Sequence, residues 1–337
     1  MVSIIIPTRN RKEYVYKVLY SIEHQTLLPD EIIIVDSSED VSYQNGVIDR
    51  FRKLNVCFIQ SEASVCIQRN KGIQAAKGDW ILLLDDDIEI EKLYIEKLVQ
   101  YCNRNPQCGA VAGRLMQQEG DVWVDQYPPP SYLSLLFKFI FQLPVWGHLS
   151  QDRFFSSRKF LARTMERYYR GRGNTFSKAG WPLITDWSDS FTTSIYSLGA
   201  NLLKRDWLIQ SPYDEVLDRN GIGDNYGVAI GFPGCRPIHV VSEVRAFHFR
   251  ASENRLQKEK AYVKRLYALH YFIGRSSRFN KSTIRWFNWS LIGNAVFFLI
   301  RKDLPQALST IKVLTQIILG RNPYVLKQKK RKNKATS

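Results

Sequence analysis

The chain has 337 residues, 45% of them hydrophobic and 24% charged, which excludes a disordered polymer and allows one large core, or a core with a smaller unit appended. Its formal charge of +16 is local: residues 250–337 carry 20 Lys and Arg against three acids, while residues 1–249 hold 28 basic and 29 acidic residues. A near-neutral body with a basic end points to a soluble catalytic domain followed by a surface-binding segment. The five cysteines are scattered, with no Cys-x-x-Cys pair and no His-rich cluster nearby. Neither a disulfide framework nor a structural zinc site is expected, and a reducing compartment is.

Met1-Val2-Ser3-Ile4 runs straight into an apolar strand with no basic leader, so no signal peptide is expected. Residues 2–6 form a short buried strand ended by Pro7. Asn10, with Glu13 three residues on, has the pattern of a capping box. The helix after it places Val15, Val18, Leu19 and Ile22 on one face. Further strands are expected at 31–35, 56–59, 80–84 and 109–113, with helices at 65–77 and around Ile95, Leu98, Val99 and Cys102. Repeated β-α-β units predict a parallel sheet with helices on both faces. In such sheets ligands sit beyond the carboxyl ends of the strands, where Pro7-Thr8-Arg9, Asp36 and Asp85-Asp86-Asp87 all lie.

The middle of the chain differs. Tyr127-Pro128-Pro129-Pro130 breaks the pattern, residues 132–146 are almost wholly apolar, and an Arg- and aromatic-rich segment follows to about Arg172. Strand and turn signals return over 190–250. Helices are then expected at about 255–272, 284–300 and 305–319, before a basic tail at 327–337 that reads as disordered.

Three adjacent aspartates at the end of a buried strand repel one another, so something must neutralise them. A divalent cation does so economically, and carboxylate oxygens suit Mg²⁺ or Mn²⁺. Asp85 and Asp87 form a D-x-D pair; taken alone, the run also suits a solvated turn capping the next helix.

The run is not alone. Residues 2–10, then Gln25 with residues 29–36, then Arg69-Asn70-Lys71-Gly72 ahead of Ala76-Lys77-Gly78-Asp79, then Leu84-Asp85-Asp86-Asp87 occur in order. This series resembles the family 2 glycosyltransferases of GT-A fold, densely over residues 1–115 and again at Gly199-Ala200-Asn201, Tyr213-Asp214-Glu215 and residues 221–230. The resemblance implies an α/β fold with a mainly parallel sheet flanked by helices, and a helical, basic C-terminal extension. Residues 1–250 would be the GT-A domain: a nucleotide-sugar half (1–115) and an acceptor half (116–250) with an aromatic, basic insertion near 127–180. Residues 251–326 would be a helical membrane-associating region.

The same resemblance implies roles. Pro7, Thr8 and Arg9 would shape the nucleotide pocket. Asp36 would accept hydrogen bonds from the base, although a carboxylate there also suits turn capping. Arg69 would face the nucleotide or diphosphate, a guanidinium matching phosphate oxygens, or else form an ion pair. Asp85 would bind ribose, a metal-bound water or the metal itself, Asp86 the nucleotide sugar, and Asp87 the metal, which bridges both phosphates of the leaving group. His248 resembles the late histidine that completes the metal site, and its flanking aromatics also suit a packed core histidine. The family's catalytic base lies in a Gly-x-Gly-Glu-Asp-like stretch. Here the stretch is Gly221-Ile222-Gly223-Asp224-Asn225, so Asp224 is the candidate base, and the second acidic position is an asparagine that cannot ionise. The Tyr213-Asp214-Glu215 element reads as structural.

No stretch reaches the roughly 18–20 apolar residues a membrane span needs. The segments 132–146 and 284–300 suit helices lying in a membrane interface, and the polybasic end would attract anionic lipid. No nucleic-acid module is recognisable, and none is expected as a partner. The leading expectation is an inverting glycosyltransferase. It would use a nucleotide diphosphate sugar, with UDP favoured, Mn²⁺ or Mg²⁺, and a glycan or lipid-linked acceptor, at the inner face of the cell membrane. Two alternatives stand beside it. One is a catalytically silent, membrane-bound scaffold, motivated by Asn225. The other is a sugar nucleotidyltransferase, disfavoured because no glycine precedes Gly46 to build a phosphate loop.

Overall fold

A computed structural model describes residues 1–149, 160–217, 219–250 and 256–336, and side chains as far as Asn333. The chain divides into two compact units: Met1–Asp125 with Asp189–Arg255, and Gln126–Ser188 with Leu256–Ser337. This division departs from a boundary near residue 250. The segment 126–188 clusters with the C-terminal helices rather than with an acceptor half.

The first unit is built on a ten-stranded sheet. Its strands are β1 (Val2–Thr8), β2 (Glu31–Asp36), β3 (Val56–Gln60), β4 (Trp80–Leu84), β5 (Ile88–Ile90), β6 (Ala110–Glu119), β7 (Val122–Val124), β8 (Phe191–Thr193), β9 (Ala200–Lys204) and β10 (Ile238–His248). The order is β8-β10-β6-β9-β4-β1-β2-β3, with β5 on β10 and β7 on β6. β1 runs parallel to β2 and β4, and β2 to β3, as the β-α-β pattern predicts. The expected fifth parallel neighbour is displaced: β9 lies antiparallel between β4 and β6, and β6 regains a parallel partner only in β10. Every residue of β1 and β2 is buried, which is why their sequences are continuous apolar runs rather than alternating ones. Full burial of Ile4, Ile5 and Ile6 contributes roughly 1.5–3 kcal/mol each.

Helices α1 (Lys12–Glu23), α2 (Gln44–Arg50), α3 (Val65–Ala75), α4 (Tyr94–Arg104), α5 (Arg205–Gln210) and α6 (Asp224–Ile230) complete the unit. Val15, Val18, Leu19 and Ile22 form the buried face of α1 as their spacing requires. The expected capping box is absent. Arg11 occupies the cap position without a side-chain capping bond, because Asn10 adopts φ 52° and its amide is committed to Glu39. α3 packs directly on β1 and β2, and Gly72 permits it: a Cβ there would stand 2.5 Å from Ile5 Cγ2.

In the second unit, helices Tyr132–Phe141 and Phe160–Arg172 are followed by α7 (Lys258–Arg275), α8 (Lys281–Ile300), α9 (Leu304–Ile318) and α10 (Pro323–Thr336). Leu135, Val145, Met165, Tyr169 and Leu183 form a buried cluster. The indole N–H of Trp181 donates to Ser290 Oγ at 2.8 Å, and its ring stacks on Phe287. Three expectations change here. The apolar run 132–146 is not one interfacial helix: it turns at Gln142, in a left-handed conformation, and continues as the short strand Val145–Trp146. The helix expected from Arg255 begins at Lys258, its first expected turn lying partly outside the described residues. The basic run 327–332, expected to be disordered, lies on α10, because Asn322 Oδ1 accepts the Tyr324 N–H, Pro323 takes the first helical position, and Lys and Arg are good helix formers. Among the described residues, no helix is long and apolar enough to cross a membrane.

Candidate active site

All residues singled out from the sequence belong to the first unit, and the topology of its sheet explains how they meet. β4 ends at Leu84 and the chain turns through Asp85-Asp86-Asp87 into β5, with the Ile88 N–H donating to the Asp85 carbonyl. β9 holds the turn from one side, as the Asp85 N–H donates to Gly199 O at 2.8 Å. Glycine at 199 leaves the Asp85 carboxylate its place, since a Cβ there would stand 2.3 Å from Asp85 Oδ2. β10 holds the other side: its last residue, His248, pairs with Ile88, and the Phe249 N–H donates to Asp87 O.

The three aspartates face three different partners. Asp85 Oδ1 accepts from Arg69 Nη2 at 2.5 Å. Asp86 is buried and accepts from Thr8 Oγ1 and Arg11 Nη1, both at 2.8 Å. Burial pushes its carboxyl up to about 6 against the opposing pull of Arg11. Asp87 Oδ1 lies 3.4 Å from His248 Nε2. Neutralisation of the triplet therefore does not need a cation for all three members, since two guanidinium groups serve Asp85 and Asp86. Asp86 ties the turn to the end of β1 through Thr8 and to Arg11.

Arg69, on α3, is buried, and it bridges two elements. Its Nη1 donates to Asp224 Oδ2 at 2.5 Å while Nη2 serves Asp85. The guanidinium lies 5.0 Å above the Tyr213 ring. Burial alone would lower its pKa, yet Tyr213, Asp85 and Asp224 together raise it well above the ordinary value. Both terminal nitrogens thus donate to carboxylates, as the ion-pair reading of Arg69 requires. Asn70, the next residue, bonds both Tyr213 and Glu215, which accounts for Tyr213-Asp214-Glu215 as a structural element.

Asp224 opens α6. Its Oδ1 accepts the Asn225 N–H at 2.6 Å, and its side chain is 12% exposed. Burial, opposed by Arg69, pushes its carboxyl up to about 6. Each carboxylate oxygen has two acceptor directions, so one remains on each oxygen for an incoming hydroxyl.

Asp36 at the end of β2 is fully buried, and its carboxylate is engaged by the chain itself. Oδ1 accepts from Ser38 N and Oγ, and Oδ2 from Tyr43 Oη and Gln44 Nε2. The turn-capping reading describes this geometry better than the base-binding one. Arg9 is paired with Glu39 at 2.6 Å, and that bond, with one from Asn10, lowers the Glu39 carboxyl to about 2.

An open cleft lies beside the triplet. Pro7, Thr8, Arg9, Arg11, Gln68 and Arg219 contribute to its walls, as does Asp86. Three arginines thus line the cleft, Arg9 paired with Glu39 and Arg11 with Asp86. Arg11, Gln68 and Arg219 were missed in the sequence. Gln68 donates to both Thr8 O and Val35 O at 2.8 Å and so fixes the ends of β1 and β2. Of these three, only Arg11 carried a local signal, two residues beyond Arg9 in the same loop.

Among the described residues, no group of three or more His, Cys, Asp or Glu is placed to hold a metal. The pair Asp87–His248 nevertheless fits two positions of one ion, because ligands about 2.1 Å from a shared cation at neighbouring positions lie roughly 3 Å apart. Asp85, held by Arg69, stands outside that pair.

The sheet is that of a GT-A fold, and residues 3–166 match the family model described as Glycosyl transferase family 2. An uncharacterized glycosyltransferase of Haemophilus influenzae is 35% identical over 139 residues, 40% of this chain and 46% of that protein. The poly(ribitol-phosphate) beta-N-acetylglucosaminyltransferase TarP of Staphylococcus aureus is 30% identical over 110 residues, 31% of this chain and 33% of that protein. The chain thus spans less than half the length of either relative. The crystal structure of S. aureus TarS 1-349 in complex with UDP-GlcNAc matches with a TM-score of 0.54 at 12% identity, covering 98% of this chain and 92% of that one. At that identity the likeness shows the fold.

Proposed function

We propose that this protein is an inverting glycosyltransferase that moves a sugar from a nucleotide diphosphate sugar to an acceptor hydroxyl. The observation that carries the reading is the Arg69 clamp, which holds Asp224 and Asp85, far apart in sequence, on one guanidinium beside a cleft lined with arginines. In this reading the cleft takes the nucleotide diphosphate, with Arg9, Arg11 and Arg219 facing its charge. Asp224 accepts the acceptor's proton as its oxygen attacks the anomeric carbon, and the nucleoside diphosphate leaves from the opposite face. A base with a pKa near 6 is ionised at neutral pH yet basic enough to take that proton.

Asp87 and His248 would hold a divalent cation, which when bound supplies positive charge to the leaving diphosphate. An imidazole beside a carboxylate favours Mn²⁺ over the harder, oxygen-preferring Mg²⁺. A UDP sugar is the preferred donor, supported by the family-model match and by the UDP-GlcNAc bound in TarS. The acceptor is a glycan or lipid-linked precursor, and the reaction runs at the inner face of the cell membrane, a reading supported by the basic final quarter of the chain.

The test is a thermal-shift screen of UDP, GDP, dTDP and CMP with and without Mn²⁺, followed by turnover assays with the sugar nucleotide that binds. A metal-dependent shift with one nucleotide, abolished in Asp87→Asn, is expected. Turnover should vanish in Asp224→Asn while the shift remains. No shift with any nucleotide would overturn the donor site, and a shift without turnover on any acceptor would favour a silent scaffold.

A further inference from the structure

Helix α9 is apolar on two opposite faces. Ala307, Thr310, Val313 and Ile317 are buried within the second unit. On the other side Leu304, Leu308, Ile311, Ile318 and Leu319 each expose 45–67% of their surface. At 100° per residue these five fall within an arc of about 100°, with Thr315 the polar residue among them. Leu299 and Ile300 at the end of α8, also exposed, extend the patch across the turn into α9. An apolar stripe this continuous on a surface marks a docking face.

The charges around it identify the occupant. Exposed Arg301 and Lys302 stand at the head of the stripe, Lys312 on its flank and Arg321 at its foot, where the basic run of α10 begins. Over residues 256–337 there are 18 Lys and Arg and two acids. Neither acid serves the stripe: Asp303 caps α9 through the Gln306 N–H, and Glu259 accepts from Ser309. A second copy of the chain docked on this face would set two strongly cationic surfaces against each other. A nucleic acid would answer the charge and leave the apolar stripe in water. An anionic bilayer answers both, with acyl chains for the leucines and headgroups for the flanking bases.

We propose that α9, with the α8–α9 turn, lies in the interface of an anionic lipid bilayer and is the face by which this protein docks on a membrane. This deepens the membrane-surface part of the functional reading and depends on none of its chemistry, so a donor site that fails leaves it intact.

The experiment is flotation of the full chain with vesicles of phosphatidylglycerol and phosphatidylethanolamine, or of phosphatidylcholine alone, without nucleotide or metal. The wild type should float with the anionic vesicles only. Leu308→Glu with Ile311→Glu should lower its partitioning at least about tenfold with Tm unchanged, since both side chains are already exposed. Where the Glu pair lowers Tm, Leu308→Gln with Ile311→Gln tests the same face without added charge. Flotation unaffected by a folded apolar variant, but lost in Lys329→Gln with Lys330→Gln and Lys332→Gln, would overturn the proposal in favour of a purely electrostatic polyanion site. A wild type that floats with no vesicle and is dimeric by light scattering, becoming monomeric in Leu308→Glu with Ile311→Glu, would overturn it in favour of self-association.

Discussion

Arg69 and Asp224, 155 residues apart, meet at 2.5 Å, and the same guanidinium holds Asp85. A buried cation shared by two carboxylates leaves both acids uncompensated when it is removed. Arg69→Met is therefore expected to cost about 3–5 kcal/mol in urea denaturation, with part of the loss recovered on adding Asp224→Asn. Arg69→Lys, whose single ammonium cannot reach both acids in a fixed fork, should fold better than the Met variant yet remain well below wild type in kcat/KM.

Asp224 ties pH to both rate and stability. As a base it must be ionised, so kcat/KM should rise with pH through about 6, and Asp224→Asn should lower it by about 10²–10⁴. Stability runs the other way. The folded carboxyl keeps its proton up to about 6, whereas an unfolded one releases it near 4. The folded state thus binds more protons in that window, and wild type should lose stability relative to Asp224→Asn as pH rises from about 4 to about 6, by at most about 3 kcal/mol. Paired urea titrations across that range measure it.

Gly199 separates site from fold. A Cβ at 199 would sit 2.3 Å from Asp85 Oδ2, so Gly199→Ala should displace the Asp85 carboxylate, a side-chain terminus that can move, rather than unfold the sheet. Donor affinity by calorimetry should fall by roughly tenfold or more, a cost of about 1.4 kcal/mol, while Tm changes little. An unchanged affinity would show that Asp85 does not serve the donor.

Metal dependence should follow the Asp87–His248 pair. At a ligand concentration a hundred times its Kd, donor with Mn²⁺ should stabilise the native state by about 2.7 kcal/mol. Chelation with EDTA, or either Asp87→Asn or His248→Ala, should remove the metal-dependent part. In Asp86→Asn the shift should survive more fully than in Asp87→Asn, because Asp86 is held by Thr8 and Arg11 and only Asp87 is paired with His248.

Much of this protein is determined by sequence alone, for local reasons. The runs 2–6, 31–35 and 80–84 specify β1, β2 and β4 because a strand buried on both faces has little else to be, and the 3.6-residue spacing of Val15, Val18, Leu19 and Ile22 specifies the inner face of α1. The strand-end position of Asp85-Asp86-Asp87 and the acidity of Asp224 are equally local. Only the tertiary structure decided how those groups are used. That Arg69 clamps two acids, that Asp36 directs its carboxylate to Ser38, Tyr43 and Gln44, and that the aspartates divide among Arg69, Arg11 and His248 is settled by the folded backbone. The insertion of β9 antiparallel between β4 and β6, and the assignment of 126–188 to the helical unit, belong to the same class. Periodicity and capping act within a few residues and leave their mark in sequence, whereas a charge's partner is chosen by the path of the backbone through space.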